Sequence, residues 1–94
     1  MWLAADLAES RLVHRVEPQY PADARAAHRT GDVVLEVLVG EDGAVASTTP
    51  VSGDPLLATA AADAVRGWRY QPYRVQGRPA EFQTDVTLKF SLPE

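Results

Sequence analysis

The residues of this 94-residue chain best suited to proton transfer or metal binding are two histidines, His14 and His28. No HExxH or similar ligand spacing surrounds either one. Cysteine is absent, which excludes thiolate zinc sites, disulfides and thiol nucleophiles. Ser47, Ser52 and Ser91 have no base beside them, and the chain has no GxSxG, GxGxxG or phosphate loop. Glu41 and Asp42 are neighbouring acids in a Gly40–Gly43 turn that lacks the alternating acids of a calcium loop. These residues assemble no catalytic constellation, so the sequence predicts no enzyme, no metal and no cofactor. The chemistry left is that of the backbone. Glu81–Leu92 alternates without a break and holds neither Pro nor Gly. A regular strand of this kind at a sheet edge is a template for another strand.

The elements that position that strand follow from periodicity. Leu12–Val16 reads as extended, and the prolines at Pro18 and Pro21 keep the residues before them out of the helical region. Ala22–His28 predicts a short helix with Pro21 at its first position and Gly31 closing it. Asp32–Val39 places Val33, Leu35, Val37 and Val39 on one face, with Val34 and Leu38 on the other, as in a central strand. Asp42-Gly43 turns the chain into a second strand, Ala44–Val51, whose Pro50 assigns it to an edge. Asp54 and Pro55 start a helix that runs to about Trp68. Leu57, Ala60, Ala61, Ala64, Val65 and Trp68 form its inner stripe, and Thr59, Ala62, Asp63 and Arg66 its outer face. Arg69–Val75 is extended, Gln76-Gly77 is a turn, and the last strand follows. In that strand Phe82, Thr84, Val86, Leu88, Phe90 and Leu92 face one way, and Gln83, Asp85, Thr87, Lys89 and Ser91 the other.

Strand directions then set the topology. The predicted fold is a two-layer α+β domain with a three-stranded antiparallel sheet in the order 2-1-3. One main helix packs on it, and a short N-terminal helix precedes it. Residues 1–12 show no clear period and read as a linker remnant or lead-in, leaving 13–94 as the domain. Met1–Ala8 is too short and too polar for a span or a signal peptide.

Net charge is −4, against nucleic acid as a partner. Charge is segregated, however. From Gly31 to Val65 there are six acids and no base, whereas Arg66, Arg69, Arg74 and Arg78 occupy a stretch without acids. Solvated turns and a basic surface facing an acidic partner both fit that pattern.

An ordered set of motifs resembles the C-terminal domain of TonB energy transducers over residues 13–92. The set comprises Glu17-Pro18-Gln19-Tyr20-Pro21-Ala22, Gly31-Asp32-Val33-Val34-Leu35, Asp42-Gly43-Ala44-Val45, Ser52-Gly53 followed by Ala60-Ala61, Trp68-Arg69-Tyr70-Gln71-Pro72, and a strand ending in Phe90. The resemblance implies a periplasmic domain of a protein anchored in the inner membrane, with the anchor and a Pro-rich spacer outside this chain. It implies a grip on the TonB box of an outer-membrane receptor, which passes on force derived from the proton-motive force for uptake of siderophores, cobalamin or other nutrients. The motor proteins ExbB and ExbD would engage the missing N-terminal part. Carried over by position, the strand residues Gln83, Thr84, Asp85, Val86, Thr87, Leu88, Lys89 and Ser91 would pair with the box. Glu17, Pro18, Gln19 and Tyr20 would flank it, and Arg69 and Arg74 would supply basic contacts. Glu17 stands where a Gln is familiar in enteric transducers. Two alternatives stay open: a homodimer formed through the last strand, and a TonB-like or TolA-like envelope interaction domain attached to a sensor or protease.

Overall fold

Four valines and leucines at every second position commit residues 31–39 to the middle of a sheet, and the rest of the chain is arranged around that strand. A computed structural model describes residues 1–92; Pro93 and Glu94, the end of the expected domain 13–94, lie outside the described residues. In chain order the elements are α1 (Ala5–Glu9), β1 (Leu12–His14), α2 (Ala22–Ala26), β2 (Gly31–Val39), β3 (Val45–Ser52), α3 (Pro55–Val65), β4 (Arg69–Tyr70), β5 (Tyr73–Val75), β6 (Arg78–Ala80) and β7 (Phe82–Phe90).

The main sheet has the order β3-β2-β7 and is antiparallel throughout, as expected from strand direction. The β2–β7 ladder runs without a break from Gly31 opposite Phe90 to Val39 opposite Phe82. The β2–β3 ladder shifts register twice. α3 packs on β2 and β3 over one face of the sheet, where Val33, Leu35, Val37, Val39, Phe82, Val86 and Leu88 are buried, with the Tyr70 and Tyr73 rings edge-on against Phe82. Asp54 caps α3 by accepting from the Leu56 N–H at 2.9 Å, and Arg29 donates to its other oxygen at 2.6 Å.

Several local details differ from the sequence reading. Ala58 and Ala62 are buried and Ala60 is half-buried. Small side chains let α3 settle deep against β3, where Ala58 and Ala62 face Thr48 and Pro50, while Ala60 turns toward the segment from Val16 to Ala22. α3 ends at Val65, because the following turn bonds the Gly67 N–H back to Ala64 and the Trp68 N–H back to Val65. Pro21 is the N-cap of α2 rather than its first residue. His28, not Gly31, closes α2: it sits at φ 54, and the Arg29 N–H reaches the Ala24 carbonyl at 2.8 Å, a Schellman cap. Gln76 and Gly77, both at positive φ, form the turn expected there, and it joins β5 and β6 in a hairpin. Residues 1–12 also carry structure, since α1 and Met1–Leu3 dock on β7 and bury Leu3 and Ala8.

The Gly43 turn is fixed from both sides. Gly43 is at φ 86, and a Cβ there would stand 2.0 Å from the Tyr70 carbonyl oxygen. Its own carbonyl accepts from the Tyr70 N–H at 2.8 Å. Glycine is required for conformation and for the close approach together.

Candidate functional site

On an antiparallel strand, a residue's N–H and C=O point to the same side, and the side alternates along the chain. The Gln83 N–H donates to the Met1 carbonyl and the Gln83 carbonyl accepts from the Leu3 N–H, both at 2.8 Å. Gln83 therefore faces away from β2, and so do Asp85, Thr87 and Lys89. Among the described residues no other backbone group pairs with those three. The strand thus offers three consecutive outward positions, with a fourth at Gln83 already taken.

The sequence-predicted contact residues separate into two sets. Thr84, Val86 and Leu88 turn their side chains into the core and their backbone toward β2, so they back the edge without presenting anything at it. Thr84 is fully buried, and its Oγ1 has no hydrogen-bond partner among the described residues. Gln83, Thr87 and Lys89 are exposed and Asp85 is half-buried, all on the outward alternate; Ser91 is exposed just past the strand end.

The chain from Leu12 to Tyr20 touches this strand at two places. Leu12 and Arg15 line a notch of about 150 Å³ with Asp85, Val86 and Thr87. Farther on, the Tyr20 ring meets Phe90 edge-on, with centroids 5.6 Å apart. The Leu12–Tyr20 segment thus meets β7 near its middle and at its C-terminal end. It is pinned at two points: Trp68 Nε1 donates to the Val16 carbonyl at 2.8 Å, and the Tyr20 hydroxyl donates to the Arg29 carbonyl. Trp68 and Tyr70 are core residues, at 3% exposure each. Glu17 is exposed and paired with Arg15 at 3.0 Å, Pro18 is half-buried, and Gln19 is exposed. On its other side the segment forms a groove of about 610 Å³ with Leu56, Ala60 and Ala64 of α3.

Arg69 and Arg74 are not gathered here. Arg69 Nη1 donates to the Trp68 carbonyl, and Arg74 Nη1 reaches the Gly77 carbonyl on the β5–β6 hairpin. The cation in the notch is Arg15, which stacks over the Trp68 ring at 5.0 Å. Sequence reading missed Arg15 because its role depends on β1 pairing with β4, a two-residue strand. The extended reading of Leu12–Val16 was the available signal.

Burial pushes the Tyr70 phenol up to about 12, with Glu9 adding to the shift and Arg15 opposing it. The stability this group contributes is whole below its ordinary value of 10.0 and is lost as pH rises toward 12. His14 and His28 are both exposed, and the described residues hold no cluster of three metal-ligating side chains.

The fold and this site define a class: a small two-layer α+β domain whose sheet leaves one regular strand edge partly unpaired beside an extended flanking segment. The family model for the Gram-negative bacterial TonB protein C-terminal matches residues 16–92, and the chain belongs to that family. A curated relative, Protein TonB of Klebsiella pneumoniae, is 37% identical over 84 residues. That match takes in 87% of this chain and 32% of the relative, so the chain spans about a third of the relative's length. The solution NMR structure of the Pseudomonas aeruginosa TonB C-terminal domain superposes with a TM-score of 0.73 at 20% identity, covering 89% of this chain and 87% of that one. It shares the fold.

Proposed function

We propose that this domain takes the TonB box of an outer-membrane receptor as an added strand on β7, in the periplasm, and that force passed along the paired strands opens the receptor to scarce nutrients such as siderophores. The observation that carries the reading is the outward row at Asp85, Thr87 and Lys89, unpaired among the described residues, with Leu12 and Arg15 beside its middle and Tyr20 at its C-terminal end. Membership in the TonB C-terminal family supports it. In the full-length protein, an inner-membrane anchor working with ExbB and ExbD would supply the force. A strand pulled along its own axis loads several backbone hydrogen bonds at once. The joint then resists force even where equilibrium affinity is weak.

The alternation supplies a test. Thr87→Pro removes an outward N–H, which an edge strand tolerates, while Val86→Pro removes a ladder bond to β2. Thr87→Pro should weaken binding of a TonB-box peptide at least about tenfold with roughly 1 kcal/mol or less lost from folding. Val86→Pro should cost roughly 3 kcal/mol of folding stability. Peptide binding that is indifferent to Thr87→Pro removes the edge-pairing reading.

A further inference from the structure

The outward row on β7 is not wholly free, and what covers its end is this chain's own N-terminus. Met1–Leu3 lies along Gln83 as a short parallel strand, joined to it by the two 2.8 Å backbone bonds. α1 follows at once and packs on β7. Ala5, Ala8 and Glu9 stand across the notch from Asp85, Val86 and Thr87. An incoming strand meets no covering element at Lys89, but at Thr87 and Asp85 it faces α1 across the notch. Extended toward Gln83, it runs into α1 and then into bonds already made.

The hold on this cover is light. Leu3 and Ala8 are its buried side chains, at 5% and 1% exposure, whereas Met1, Trp2 and Leu7 are about half exposed. A five-residue helix has little stability apart from its packing. Beyond it the chain is pinned: the Gln71 N–H donates to the Arg11 carbonyl at 2.7 Å, and Arg11 Nη2 donates to the Pro72 carbonyl at 2.8 Å. Those bonds hold the chain from Arg11 onward, so a hinge at Ser10-Arg11 would release residues 1–10 and withdraw only Leu3 and Ala8 from the core.

We infer that residues 1–10 form a strap that closes the Gln83 end of the β7 edge and must swing away before a longer strand can seat there. This rests on the reading of β7 as the docking edge. The strap shields an edge that would otherwise invite pairing with a second copy. It also lowers apparent affinity by the fraction of molecules in which it is open.

The test uses the full chain with Leu3→Asp and, separately, Ala8→Glu, each of which ejects one buried anchor. The second variant guards against loss of fold in the first, and a retained cooperative thermal transition qualifies either. The readouts are amide exchange at Gln83, affinity for a TonB-box peptide, and light scattering over a concentration series. In the wild type Gln83 should be protected. In the variants its exchange should rise at least about tenfold and the peptide should bind about three- to tenfold tighter. Gln83 exchanging as fast in the wild type as in the variants overturns the strap. So does peptide affinity unchanged by its release, although the docking reading then stands. If no form binds peptide but the released variants self-associate and the wild type does not, the receptor reading falls and the strap holds. Released variants that neither bind peptide nor associate overturn the strap, since nothing was being held off.

Discussion

The two edges of one sheet are built in opposite ways. β3 is irregular: its register against β2 slips twice, and Pro50 sits at an outward position, where it removes a donor. β7 pairs with β2 over nine residues with no slip, and its outward backbone groups at Asp85, Thr87 and Lys89 are all competent to bond. Both strands hang from the same β2 and share one core, so folding does not demand the difference. Blunting an edge is a common protection against unwanted pairing. Here the protection is applied to one edge in the strand itself, whereas the other is left regular and covered at one end by residues 1–10. The contrast agrees with the proposal that β7 takes the added strand.

The largest effect should come from breaking what holds both edges in register. Gly43→Ala drives a Cβ into the Tyr70 carbonyl and strains φ 86, so it should cost roughly 3 kcal/mol or more in chemical denaturation. Removing the α3 cap is smaller and bears on the β3 side. Asp54→Ala loses the bond from Leu56 and the partner of Arg29, and should lower the chemical-denaturation midpoint, by less than Gly43→Ala does. Desolvation raises the Asp54 pKa, but the hydrogen bond and charge of Arg29 and the N–H groups of Leu56 and Leu57 outweigh it and leave the carboxyl lowered. A lowered folded pKa means stability that is present above the unfolded value and lost as pH falls through the folded one. The wild type should therefore lose this share below about pH 4, and Asp54→Ala should flatten that part of the pH profile.

Two smaller changes sharpen the contrast. Thr84→Val replaces a buried hydroxyl that has no partner among the described residues. It should raise stability by about 0.5–1 kcal/mol and leave peptide affinity unchanged, because Thr84 belongs to the inward alternate. Pro50→Thr restores an outward donor on β3. It should shift folding by no more than about 0.5 kcal/mol and leave peptide binding at β7 intact. Binding that moves to β3 in this variant would show that Pro50, rather than a property of β7, decides which edge is used.

Much of this was legible in the sequence because it is local. Alternation in Asp32–Val39 and Glu81–Leu92, the Asp42-Gly43 turn, and the Asp54-Pro55 helix start each carry their own physical signal. Strand direction then orders the sheet. What was not legible is non-local. Met1–Leu3 has no period, and its strand character comes entirely from lying on Gln83. α1 is too short to announce itself, and its buried Ala8 looks like any alanine. The β5–β6 hairpin contains Pro79, which masks its extended character. In the site, alternation divided the side chains of β7 correctly, but which backbone alternate faces outward depends on which side β2 pairs. Arg69 and Arg74, the basic contacts the resemblance implies, bond to the Trp68 and Gly77 carbonyls, whereas Arg15 lines the notch through its stacking on Trp68.

The most direct measurement is an amide-shift titration of the labelled domain with a TonB-box peptide from a receptor of the same organism. The account predicts the largest shifts at the Asp85, Thr87 and Lys89 amides and along Glu17–Tyr20, with smaller ones at Thr84, Val86 and Leu88. Shifts centred on β3 or the β5–β6 hairpin, or none at millimolar peptide, would contradict it.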